Sequence, residues 1–116
     1  MDSPSKITQD LLLANSFTNI FKSNMPDIDV GSCVYDTGGF GNDGTISKPT
    51  LQILHRNIDY EIGYATIQAI KVILDTYDNN EEIFGYTING DINCIGTDTK
   101  SRYEWTINAT ALDEIS

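Results

Sequence analysis

Apolar residues along this chain recur at two different spacings, and the switches between them mark out its elements. Near the start the spacing is helical: Ile7, Leu11, Ala14, Phe17 and Phe21 fall three or four residues apart, with Gln9, Asp10, Asn19 and Lys22 on the other side. Ser3-Pro4 is the start signal, because a serine hydroxyl accepts from free first-turn amides and a proline there needs no amide partner. Met25-Pro26 is the predicted end. Residues 59–77 repeat the pattern through Ile62, Ala65 or Thr66, Ala69, Ile70, Ile73, Leu74 and Tyr77, with Asp59 as the cap.

Elsewhere the pattern shortens to that of strands. Residues 30–35 form a β-type run, and residues 49–56 (PTLQILHR) form another, with Pro49 at a first position that tolerates a missing amide hydrogen. Between them, Asp36-Thr37-Gly38-Gly39-Phe40-Gly41-Asn42-Asp43-Gly44 mixes four glycines with turn formers and predicts a long loop without regular structure. The two runs are expected to pair antiparallel across it. After a polar break at 78–82, residues 83–95 alternate with Tyr86, Ile88, Ile92 and Cys94 in one phase. Residues 102–112 place Tyr103, Trp105, Ile107 and Ala109 on one face and Arg102, Glu104, Thr106 and Asn108 on the other. Two turn signals compete here, Asn89-Gly90 and the cluster at 96–100; the second separates the longer runs, which leaves Asn89-Gly90 as a bulge or bend. The order helix, strand, strand, helix, strand, strand predicts an α+β fold. It is a four-stranded, mainly antiparallel sheet with two helices packed on one face, in a single domain over residues 1–116.

Composition narrows what such a domain does. With 116 residues, of which 40% are hydrophobic, the chain has room for one core and is too apolar for a disordered segment. Seventeen Asp and Glu against seven Lys and Arg give a net charge of −10, the wrong sign for a protein that neutralises phosphates. That charge argues against tight nucleic-acid binding, yet a surface that repels phosphates suits a duct through which DNA slides. No apolar run approaches the ~18 residues of a membrane span, and Met1 to Ser5 is unlike a signal peptide, so no membrane contact is expected and folding in a reducing cytoplasm is. Cys33 and Cys94, flanked by Val34 and Ile95 at no metal-ligand spacing, read as buried thiols.

Candidate chemistry is sparse. Asp36-Thr37-Gly38 matches the tripeptide of aspartic proteases, but a small retroviral-type protease is all-β, and the helical runs leave that dimer as a remote alternative. His55 has no ligand partner at zinc spacing and reads as a surface or edge residue. Asp27 with Asp29, and Asp75 with Asp78, lack the glycine pivot of a calcium loop and read as solvated charge. Asn108-Ala109-Thr110 is a glycosylation triplet placed by chance in a strand. No nucleophile has a recognisable partner and no phosphate-cradling loop is present, so no catalytic residue, cofactor or metal is expected and the protein is not read as an enzyme.

Three local patterns together resemble the tail terminator (tail completion) proteins of long-tailed bacteriophages. Pro49-Thr50-Leu51-Gln52-Ile53 runs through His55-Arg56 into Asp59-Tyr60 and a helix; Ile95-Gly96-Thr97-Asp98 is followed by Arg102; and Thr106-Ile107-Asn108 is similar to the closing strand. One position departs, since the family has a glycine before its arginine and this chain has Ser101. The resemblance implies a structural virion protein, assembled in the host cytoplasm, that forms a homo-hexameric ring on the head-proximal end of the tail tube. Such a ring stops tube polymerisation, meets the tail tube protein and the head connector, and lets genomic DNA pass without tight binding. A head-tail joining or neck protein is the nearest alternative. The residues expected to face partners are Asp36, Phe40, Asn42 and Asp43 in the glycine-rich loop, and Asp98 and Arg102 at the last turn.

Overall fold

The computed structural model describes residues 3–38, 46–47, 49–77 and 83–114. Helix α1 (Pro4–Ala14) starts where the sequence places it: the Ser3 hydroxyl accepts from the Lys6 amide at 3.3 Å and Pro4 takes the first turn. It stops far short of Met25-Pro26. The Phe17 amide donates to Leu12 O and the Ser16 amide to Leu13 O, both at 3.2 Å, with Ser16 left-handed at φ 70°. This is a Schellman closure, which satisfies the last carbonyls and folds Phe17 back against the core. Phe17 therefore keeps its apolar role without being helical, which is why periodicity alone overruns the end. The chain then enters a short strand, β1 (Ile20–Lys22).

Helix α2 (Tyr60–Thr76) agrees with the sequence, down to the Asp59 carboxylate accepting from the Ile62 amide at 2.9 Å. Its buried stripe is Gly63, Ile67, Ile70 and Leu74. Ile62, Ala65 and Ala69, expected to face the core, are exposed. The rotation follows from bulk: a Cβ at position 63 would lie 2.3 Å from Trp105 Cζ3, so the helix presents its one glycine to the largest side chain beneath it.

Among the described residues the sheet has seven strands rather than four. The expected runs are β2 (Gly31–Gly38), β4 (Thr50–Asn57), the broken pair β5 (Ile83–Ile88) and β6 (Asn93–Thr97), and β7 (Tyr103–Glu114). Two further strands are added: β1, parallel to β2, and β3 (Ile46–Ser47), which pairs with β7 ahead of β4. All other pairings are antiparallel, with β2 beside β4, β4 beside β7, and β5 and β6 both against β7. Asn89-Gly90 is the break between β5 and β6, as its reading as a bend requires, with Gly90 at φ 80° and the Asn89 amide on Asn108 O at 2.8 Å. Asp36, Thr37 and Gly38 belong to β2 and not to an irregular loop. Pairing with Thr50 and Leu51 across the sheet outweighs their local turn preference. Phe40, Asn42 and Asp43 lie outside the described residues.

Both helices pack on one face. Val34, Ile53 and Ile107 stand side by side across β2, β4 and β7 and meet Ile7 and Leu12 of α1 and Ile67, Ile70 and Leu74 of α2 in one cluster.

Candidate functional site

Two arginines from the recognised motifs meet on the sheet face opposite the helices. Arg56 and Glu104 are register partners on β4 and β7, and Arg56 Nη2 lies 2.9 Å from Glu104 Oε2. Arg102, only 5% exposed, donates through Nε and Nη2 to Asp98 Oδ2 at 2.9 and 2.7 Å. The Asp98 Oδ1 accepts the amides of Lys100 and Arg102 at 3.0 Å, which closes the turn between β6 and β7. Both guanidinium groups then reach out of the sheet. Arg56 Nη1 donates to Pro26 O at 2.9 Å and Arg102 Nη1 to Ile28 O at 2.8 Å. Asp27 takes Arg102 Nη2 at 2.8 Å and pairs with the Lys100 ammonium. The irregular segment 23–30 is thereby clasped onto the sheet, over a Cys33 thiol that is wholly buried.

Electrostatics follow from this contact. The Arg102 side chain, and then its amide, hold the Asp98 carboxyl well below the usual carboxylate range, and the Asp98 carboxylate raises Arg102 in turn. Lys100 and Arg102 lower Asp27. Ser101, where the resembling family has glycine, is left-handed at φ 60°, the conformation for which glycine is suited. Asp27 and Asp29 are solvent-exposed, as the solvated-charge reading has them, and they also pair with Arg102. Their partner lies more than seventy positions away, and no local signal announces it.

On the helix face, His55 is not a surface or edge residue. It sits 2% exposed in central strand β4, with Nδ1 2.8 Å from Ser32 Oγ and its ring stacked on Trp105. Burial pushes its pKa down to about 4. It forms the floor of a groove of about 600 Å³ between the end of α1 and one flank of α2, walled by Phe17, Val30, Ile62, Ala65 and Ala69. A second groove of about 490 Å³ runs along the other flank of α2, bordered by Tyr60, Tyr64, Val72, Ile92 and Cys94. Tyr60 anchors its rim, with ring centroids 5.3 Å from Tyr103 and 5.4 Å from Trp105. Ile62 and Val72, on opposite flanks, are 60% and 57% exposed. The signal for these grooves lies in the sequence, because α2 carries more apolar residues per turn than one core-facing stripe uses.

The expected partner-facing residues separate. Asp98 and Arg102 come together in the clasp, bonded to one another. Asp36 stands apart at the far end of β2, where it accepts from the Ser5 amide at 3.0 Å and the Ser5 hydroxyl at 2.6 Å and ties α1 down. Cys33 is buried as expected, but Cys94 is exposed, because β6 lies at the sheet margin where a flanking Ile95 does not bring cover.

The sheet is thus stiffened on both faces, and a groove borders each flank of α2. A family model described as bacteriophage tail terminator protein matches residues 6–115, a span that takes in most of α1, all of α2, both clasp arginines and both grooves. The chain belongs to the bacteriophage tail terminator family, and it is a structural component of the phage tail. No curated protein matches it. Among the described residues, no helix is long and apolar enough to cross a membrane.

Proposed function

We propose that this chain assembles as a hexameric ring on the head-proximal end of the tail tube, ends tube polymerisation, and presents the surface on which the head connector docks. The observation that supports this reading is the pair of different grooves on opposite flanks of α2, one mostly apolar and one of mixed polarity. A closed ring needs a head-to-tail contact between two unlike patches of each subunit, whereas a two-fold dimer needs only one patch that matches itself. Charge agrees with the duct: copies of −10 each surround a lumen that DNA crosses without adhering. That like charge is screened within about 8 Å at physiological ionic strength, so rings strengthen as salt rises.

Native mass measurement and negative-stain imaging of the purified protein, with and without isolated tail tubes, test this. Six-copy rings seated at one end of the tubes are the expected result. A chain that stays monomeric at every salt concentration and leaves the tubes bare overturns it, as does tight DNA binding in a gel shift at low salt.

A further inference from the structure

The two lateral edges of the sheet are built differently. At one edge β1 is three residues long, its Ile20 carbonyl is occupied by the Gln9 side-chain amide at 2.8 Å, and Lys22 stands exposed on it. A short, covered, lysine-bearing edge is the usual defence against unwanted strand pairing. At the other edge, β6 pairs with β7 along one side, and no other strand among the described residues pairs with it. Its five residues, Asn93, Cys94, Ile95, Gly96 and Thr97, are all exposed and include no charge and no proline. Its one irregularity is a bulge between Cys94 and Gly96, which leaves Asn93 and Cys94 as the regular stretch of the edge.

We propose that the outer edge of β6, with the α2 flank beside it, is the seam on which the next copy of this chain lays an extended segment as an added strand. The inference rests on the ring reading and names the contact within it. An added strand offers its backbone to the free amides and carbonyls of β6, and every second side chain points toward the groove bordered by Tyr64, Val72 and Cys94. The occupant is a second copy because of charge. Two chains of −10 approach with least repulsion where the surface is neutral. Here β6 is uncharged, and the groove beside it is lined by one cation, Lys71, and one anion, Asp91. The added segment is not another β6, since β6 on β6 is a two-fold contact that ends at a dimer.

The chain carries its own probe, because Cys94 is exposed on β6 while Cys33 is wholly buried. In the free chain a maleimide labels Cys94 alone; in assembled rings its labelling slows about tenfold or more as access is lost. Ile95→Lys, at a position 56% exposed, is expected to keep the wild-type melting temperature and circular dichroism while losing rings. Rings that label at the free-chain rate, or Ile95→Lys rings as abundant as wild type, overturn the seam and leave the ring standing. Wild-type protein that forms no rings with or without tail tubes overturns both.

Discussion

The two faces of the sheet are held by different physics. On the helix face, apolar side chains from six elements gather around Ile53 and Ile107, and stability comes from area removed from water. On the clasp face, Arg56 and Arg102 gather carboxylates and backbone carbonyls from residues 26–29 and 98–104, and an irregular segment stays down because nearly every guanidinium hydrogen has a partner. The first face tolerates imprecision, since Phe17 packs on it from beyond the end of α1. The second does not, because a hydrogen-bonded charge has one correct position and an unpaired one is costly to bury.

The sharpest way to break this contrast is Ile70→Asp, which places an unpaired carboxylate at a fully buried position and costs roughly 4 kcal/mol or more. Soluble yield and urea unfolding check it, and wild-type stability would remove α2 from the core. Arg102→Gln comes next. It strands Asp98 and releases Ile28 O, so melting temperature falls less than for Ile70→Asp, and hydrogen exchange speeds up in residues 23–34 before it does in α2.

Acid separates the faces by pH. His55 is neutral in the fold with a pKa of about 4 against an ordinary 6.5, so the unfolded chain binds the extra proton. Stability is lost as pH falls from about 6.5 to 4, by up to about 3 kcal/mol. Asp98 and Asp27 are depressed from 3.8, so the stability they contribute is present above that value and lost only below it. In denaturant titrations across pH, His55→Gln is expected to flatten the upper limb alone, and Asp98→Asn to flatten the lower limb alone. The smallest effect is Ser101→Gly, which relieves a left-handed serine and raises stability by about 0.5–1 kcal/mol, read as a small rise in melting temperature.

The sequence by itself determined the elements that local chemistry specifies: the Ser3-Pro4 start, the Asp59 cap, the alternation through Trp105 and Ile107, and the turn between β6 and β7. Each depends on residues within a few positions of one another, where spacing and hydrogen-bonding capacity suffice. Tertiary structure decided the rest. Which stripe of α2 is buried depends on Trp105 meeting Gly63, a contact forty-two positions apart that no helical period encodes. Whether Asp36 is loop or strand depends on Thr50 and Leu51 being there to pair with. Asp27 and Asp29 stay solvated yet gain Arg102 as a partner from the far end of the chain, and His55 looks exposed until β4 is found between β2 and β7. A residue's neighbours across a sheet are fixed by pairing register, and register belongs to the folded chain as a whole.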